Sequence, residues 1–284
     1  MPTFAILLLL VSAILHTGWN LLIKQSEDKY IVTWWMVTIG GVFAIIALLF
    51  TGLPPREMWL FAIISICVEA VYFVTLSYAY HDNDFSLIYP VARGAAPAFL
   101  ALWSFLFLHE KLTSGGMIGL GMIIGGLLII GINTLSQAHV NHLHFKGAAV
   151  AVFIALLISI YSTIDGAAVR NGSAVPYVLS MFAFVPLPIT PFIFREYKWT
   201  KIKEVLIKQP LRVPLASILG VLSYLMAVFA FSIAPVSYAG AVREVSVVLG
   251  ALAGWWFLKE RMGGVRVFGA IVIFAGILII AMFG

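Results

Sequence analysis

Charge is scarce in this chain: 10% of its 284 residues are Asp, Glu, Lys or Arg, against 62% that are hydrophobic. So little polar surface cannot cover a water-soluble globule of this length, and a mean hydropathy of +1.07 points to an integral membrane protein. Cysteine is nearly absent. Cys67 stands alone inside an apolar run, which excludes a disulfide framework and a thiolate metal site. His-Glu-x-x-His, Gly-x-Ser-x-Gly and Gly-x-x-x-x-Gly-Lys-(Ser/Thr) are all missing, so no motif for zinc proteolysis, serine hydrolysis or ATP binding is present. His139, His142 and His144 share a polar loop with no carboxylate or thiol beside them and read as a solvated linker. Asp82-Asn83-Asp84 is one acidic step without a second acidic motif to share a magnesium ion. No metal, cofactor or catalytic residue is expected, and the net charge of +5 is a topology signal, not a nucleic-acid one.

What is present is a series of apolar runs, mostly 18 to 24 residues long, the length a helix needs to cross about 30 Å of hydrocarbon. Barrel strands would be about ten residues of strict alternation, so the expected fold is all-α. The runs fall at about 3–23, 31–50, 58–80, 85–108, 115–132, 147–169, 175–194, 213–233, 235–258 and 265–283. That makes ten transmembrane helices. The first run resembles a signal peptide in its Val11-Ser12-Ala13 step, but no Lys or Arg precedes it, which argues for a retained span.

The stretch from Ser86 to Leu112 returns, degraded, as Val236 to Met262. At an offset of 150, Arg93 falls on Arg243, Glu110 on Glu260, Gly119 on Gly269 and Gly126 on Gly276. The chain therefore divides into a first five-helix unit (1–133), a polar linker (134–146) and a second five-helix unit (147–284). An odd number of spans per unit makes the second enter the bilayer from the opposite face, so the expected architecture is two inverted-topology five-helix repeats. Lys and Arg collect after odd-numbered spans, above all between Arg195 and Arg212, whereas the other side holds only Arg56, Lys111 and Arg170. The positive-inside rule then places both termini outside and the Arg195–Arg212 loop in the cytoplasm.

Two halves whose fourth helix ends in Leu-x-Glu-(Lys/Arg)-(Leu/Met), each followed by a glycine-rich fifth, resemble the EamA-type members of the drug/metabolite transporter superfamily. The resemblance spans nearly the whole chain. It implies ten helices around a central cavity, alternating access without ATP, and movement of small metabolites or drugs across the cell membrane, with export the expected direction. Arg93 after a Tyr-Pro step and the Arg243-Glu244 pair depart from the family's usual small or apolar residues there and suggest a more specialised substrate. A flippase for a lipid-linked sugar or lipid is the nearer alternative reading, and an intramembrane enzyme the weaker one.

Candidate site residues are the ionisable groups inside spans, each costing at least about 2.5 kcal/mol at the bilayer centre unless it faces a partner or water. They are Glu69, Arg93, Asp165, Arg243 and Glu244. Helical spacing extends them into polar stripes: Ser65, Glu69 and Tyr72; Tyr89, Arg93, Pro97 and Ser104; Ser12, His16 and Trp19-Asn20; Tyr161-Ser162 and Asp165; and Ser217, Gly220 and Tyr224. The expected substrate-binding set is Arg93, Tyr89, Glu69, Tyr72, His16, Asn20, Tyr161, Asp165, Tyr224 and Arg243, with Glu69 the expected proton carrier. An arginine there suits a carboxylate or phosphate group of the substrate, and Arg93, flanked by small residues, is the favoured anchor. Structural readings compete: a permanent Glu69–Arg93 ion pair, His16 as a helix-to-helix hydrogen-bonding residue, Glu110 and Glu260 as interfacial anchors and gate contacts, and Trp34-Trp35, Trp59 and Trp199 as aromatic belt. Gly115-x-x-x-Gly119 and Gly121-x-x-x-Gly125 fit either a homodimer contact or packing inside a monomer. The partners expected are the bilayer and a small-molecule substrate.

Overall fold

The structure is a computed structural model that describes residues 1–26, 28–82, 85–137, 143–170, 172–249, 252 and 264–284. Glu260, His139, His142, Asp84 and most of 250–263 lie outside the described residues, as does the side chain of Tyr89. Among the described residues there are helices and no strands, as a chain with no water to satisfy its backbone requires. The helices are α1 (Thr3–Lys24), α2 (Lys29–Thr51), α3 (Arg56–Asp82), α4 (Phe85–Leu108), α5 (Ser114–Gln137), α6 (Leu143–Val169), α7 (Ala174–Phe184), α8 (Pro186–Glu196), α9 (Trp199–Lys208), α10 (Arg212–Ile233), α11 (Val236–Arg243) and α12 (Gly264–Phe283).

By length and composition, seven helical stretches of the described chain can cross a membrane: α1, α2, α3, α5, α6, α7 with α8, and α10. Shorter apolar helical stretches lie at Ala95–Leu108 in α4 and Val267–Phe283 in α12. Burial is inverted relative to a soluble protein. Phe50, Leu49 and Leu60 are 85%, 80% and 65% exposed, while Ser12, Ser65 and Asp165 are fully enclosed. A lipid-facing apolar coat around a polar interior is the arrangement hydrocarbon selects. The chain is a multi-pass membrane protein.

Two expected spans are interrupted. The run expected as one helix over 175–194 is α7 followed directly by α8, because Pro186 offers no backbone N–H and its ring obstructs the preceding turn. The ninth begins as α11 but tightens at its end, where Glu244 N–H bonds to Ala241 O (3.1 Å) and Val247 N–H to Glu244 O (2.9 Å), before residues 245–249 resume as helix. These three-residue steps turn the chain where Arg243 and Glu244 stand. The Arg195–Arg212 segment, expected as a loop, contains α9.

The helices pair as α5 with α12, α4 with α6, α1 with α10, α3 with α6, and α2 with α7. The α5–α12 pair is antiparallel and backbone-close. A Cβ on Gly119 would lie 2.7 Å from Gly276 O, and one on Gly126 would lie 2.7 Å from Gly269 O. Gly115 likewise abuts Phe283, so the first of the two glycine pairs in α5 is occupied inside the bundle, whereas Gly121 and Gly125 meet nothing. Between α1 and α10, Ser12 Oγ donates to Ser223 O (2.7 Å) and Ser223 Oγ to Ser12 O (2.9 Å).

One end of the bundle joins the segment after α1 to the segment around α9. Lys201 Nζ lies 2.9 Å from Asp28 Oδ2, and Ser26 Oγ donates to Gln209 (2.9 Å). At the other end Glu110 gathers three elements. Its carboxylate accepts from Val236 N (2.6 Å), Ser237 N (3.2 Å) and Ser237 Oγ (2.6 Å) at the start of α11, and pairs with Arg170 Nη2 (2.6 Å) just beyond α6. A carboxylate suits those donors because the first N–H groups of a helix have no partner within it. Arg170 Nη1 also donates to Leu108 O (2.7 Å), closing the end of α4. Glu110 is thus a buried interhelix cap, a more specific role than an interfacial anchor.

Candidate functional site

The polar stripes of α1, α3, α4, α6, α10 and α11 meet inside the bundle in two linked groups. In the first, Arg93 of α4 donates from Nη1 to Glu244 Oε1 (2.8 Å) and from Nη2 to His16 Nε2. Arginine can only donate, so the His16 nitrogen facing it presents its lone pair and Nδ1 carries the hydrogen. The Trp19 ring packs edge-on against the imidazole at 4.9 Å, and both Arg93 and Arg243 are within electrostatic reach of it. The carboxylate that Arg93 meets here is therefore Glu244, from the far half of the chain, where the competing structural reading had Glu69. Helical spacing shows which residues share a face but not how two helices are rotated toward each other, and the tight turn at Glu244 adds a rotation that periodicity does not report.

In the second group, Asp165 of α6 accepts from Tyr177 Oη (2.7 Å) through Oδ1 and from Tyr224 Oη through Oδ2. Glu69 of α3 stands within electrostatic reach of Asp165, Arg243 and Tyr224. Glu69 itself is half-buried. Tyr72, Tyr161 and Tyr224 form a chain of edge-to-face rings, with centroids 5.7 Å and 6.2 Å apart. Arg243 links the groups: its guanidinium lies 5.4 Å above the Tyr224 ring, a cation–π geometry, while its Nε has no acceptor among the described residues. His16 Nδ1 and Glu244 Oε2 are likewise buried without a hydrogen-bond partner.

Beside them, Pro97, Ser162, Phe231, Gly240, Arg243 and Glu244 line a small cavity of about 10 Å³, room for one water molecule. Of the ten expected residues, the structure brings together His16, Glu69, Tyr72, Arg93, Tyr161, Asp165, Tyr224 and Arg243. Asn20 instead donates to the His16 carbonyl one turn back in its own helix (2.8 Å). Tyr177 and Glu244 complete the cluster. The sequence does not single out Tyr177, because a tyrosine near a span end reads as aromatic belt; its clue is the apolar residues on both sides, which leave its hydroxyl to find a partner within the bundle. Trp34 is also not simply belt, since it is buried and donates to Thr190 Oγ1 (3.0 Å). Among the described residues no group of three His, Cys, Asp or Glu is placed to hold a metal ion.

Comparison with known proteins bears on what such an interior does. A solved crystal structure superposes with a TM-score of 0.74, covering 99% of this chain and 98% of its own, at 16% identity, which speaks to the fold alone. An uncharacterized protein of Methanocaldococcus jannaschii, MJ1333.1, is 28% identical over 137 residues, which are 47% of this chain and 99% of that protein. The model of the EamA-like transporter family matches residues 3–132 and again 145–282, nearly the full length. With a match of that extent, the chain belongs to the EamA-like transporter family, within the drug/metabolite transporter superfamily.

Proposed function

We propose that this protein is a secondary transporter of the cell membrane that moves a small solute bearing an anionic group, by alternating access between two inverted five-helix halves. Several features support ten crossings. Numbered by the ten expected spans, the segments that touch at each bundle end share parity. Glu110, Arg170 and Val236 follow the fourth, sixth and eighth spans, whereas Asp28 and Lys201 follow the first and seventh. Inversion is supported by pairings that exchange with one another when each span is advanced by five. In this way α3 with α6 becomes α10 with α1, and α5 with α12 maps onto itself. Antiparallel contact of Gly119 with Gly276 and of Gly126 with Gly269 is the arrangement a two-fold axis in the membrane plane produces. A relative whose whole length matches 47% of this chain fits a unit written twice.

The observation that carries the substrate reading is Arg243. Buried and stacked on Tyr224, it leaves Nε without an acceptor beside the cavity, whereas Arg93 is neutralised by Glu244. A guanidinium keeps its charge in such a place and offers a planar fork to a carboxylate or phosphate. Arg243 thus becomes the anchor in place of Arg93, and Arg93, His16 and Glu244 form the bridge between halves. In alternating access the solute reaches this site when the halves part on one side of the membrane. Proton coupling is assigned to Glu69, a half-buried carboxylate beside this cluster, while Asp165 is held by two tyrosine hydroxyls.

The test is a thermal-shift screen of purified protein against organic acids, amino acids, sugar phosphates and neutral or cationic drugs, since a ligand of the folded state raises its apparent stability. Anionic compounds are expected to stabilise. With the best of them, Arg243→Lys should weaken binding about tenfold or more through loss of the bidentate contact. Stabilisation by neutral or cationic compounds alone, or unchanged affinity in Arg243→Lys, refutes the anionic-substrate reading. In proteoliposomes, Glu69→Gln should abolish dependence of transport on a pH gradient. Retained dependence removes Glu69 from the mechanism.

A further inference from the structure

The helix α9, which the transport reading does not use, has three distinct edges. Ile202, fully buried, and half-buried Val205 and Leu206 face the bundle, where Trp35 Nε1 donates to Ile202 O (2.8 Å). Thr200, Glu204 and Lys208 form an exposed polar edge at four-residue spacing, with Lys208 Nζ 2.6 Å from Glu204. The third edge, also at four-residue spacing, is Trp199, Lys203 and Ile207, a cation between two apolar side chains that are 51% and 64% exposed. Leu211, 82% exposed, continues it, and Arg195 and Lys198 lie just before it, exposed. Among the described residues the side chains of Arg195, Lys198 and Lys203 make no ion pair or hydrogen bond, whereas Lys201 is taken by Asp28.

The level of this helix is marked by aromatic rings. Trp199 stacks on Phe194 at 5.8 Å and lies 6.1 Å from Trp35, and Trp34, Tyr30, Phe192 and Tyr197 continue the cluster. Tryptophan and tyrosine gather where hydrocarbon meets headgroups, and an amphipathic helix with a basic flank lies in that plane. Water alone would not favour exposed Trp199, Ile207 and Leu211, and hydrocarbon alone would not favour Arg195, Lys198 and Lys203. The headgroup layer suits both.

We propose that α9 and its flanks form an interfacial platform that binds anionic phospholipids, with Trp199, Ile207 and Leu211 set into the acyl boundary and Arg195, Lys198 and Lys203 holding headgroup phosphates. The occupant is lipid and not a soluble acidic partner because the cations alternate with apolar side chains at the belt. Anionic headgroups are enriched in the cytoplasmic leaflet, the side to which the basic Arg195–Arg212 segment assigns α9.

The test uses full-length protein in a neutral detergent, titrated with phosphatidylglycerol or phosphatidylcholine and followed by thermal shift and native mass spectrometry. Phosphatidylglycerol is expected to raise the melting temperature more and to be retained in preference. The triple variant Arg195→Gln/Lys198→Gln/Lys203→Gln should lose that preference, by about fivefold per cation removed. Arg56→Gln, which removes one cation elsewhere on the surface, should keep it, whereas Lys203→Gln alone should already weaken it about fivefold. In wild-type protein the preference should shrink as NaCl rises from about 0.1 M to about 1 M, a readout that needs no variant to fold. Equal effects of the two lipids, a triple variant that keeps the preference, or equal protection by soluble glycerol phosphate or polyglutamate would each overturn the proposal.

Discussion

Replacing Glu110 by alanine should be among the most damaging single changes in the chain, although the residue lies outside any helix. Its carboxylate is 4% exposed and takes four hydrogen bonds. Alanine leaves the N–H groups of Val236 and Ser237 buried without an acceptor, at about 1–3 kcal/mol each. Ser237 Oγ can rotate to another acceptor, and Arg170, 35% exposed, regains water, so their losses are about 0–1 kcal/mol. The sum is about 2–7 kcal/mol. At roughly 2–4 °C per kcal/mol, the loss in apparent melting temperature is about 10 °C. Glu110→Gln keeps one good acceptor oxygen and should cost about half as much. Arg170→Ala should cost only about 1 kcal/mol, because three donors still hold the carboxylate. Heating detergent-solubilised protein and following the loss of its monodisperse peak in size-exclusion chromatography measures all three. A Glu110→Ala protein within about 2 °C of wild type, or an Arg170→Ala protein as unstable as Glu110→Ala, would refute the capping argument.

Other consequences follow at separate places in the bundle. A Cβ on Gly276 would lie 2.6 Å from Gly119 O, a backbone atom that cannot swing aside, so Gly276→Ala should cost about 1–3 kcal/mol. Gly121→Ala meets nothing within 4 Å and should leave the melting temperature unchanged or raise it, as alanine favours helix over glycine by about 1 kcal/mol. Arg93→Ala strands the buried Glu244 carboxylate and should destabilise by about 3–5 kcal/mol, and the added change Glu244→Ala should restore much of that in a double-mutant cycle. Absence of recovery would mean that Arg93 and Glu244 do not act as a pair. Tyr177→Phe removes one of two hydroxyls from Asp165 and should cost about 1–3 kcal/mol, with the loss largely absent in an Asp165→Asn background.

Much of this architecture is legible in the sequence. Apolar run length located α1, α2, α3, α5, α6 and α10 within a few residues, since the bilayer demands little more than length and hydrophobicity. Rarity of charge inside those runs singled out Glu69, Arg93, Asp165, Arg243 and Glu244, and all five gather in one interior. Their partners were not legible. Arg93 chose Glu244 over Glu69, and Asp165 found Tyr177, because pairing depends on helix rotation and on an irregular turn at Glu244. The break at Pro186 was hidden by an unbroken apolar run, and α9 by its basic surroundings. Hydropathy averages over windows longer than either.

The glycine seam between α5 and α12 has a mechanical consequence. Where Gly119 faces Gly276 and Gly126 faces Gly269, no side chain separates the two backbones, and each carbonyl occupies the space another residue's Cβ would need. Sliding one helix along the other would drive Ile123, Ile130, Ile273 and Ile280, which crowd those glycines, into the opposing main chain. The seam therefore resists translation far more than it resists a small change in crossing angle. On the alternating-access mechanism proposed above, the seam would serve as an axle: two halves tilting about it would keep its length and register, and the displacement would grow with distance toward helices such as α3 and α10 that carry the tyrosines.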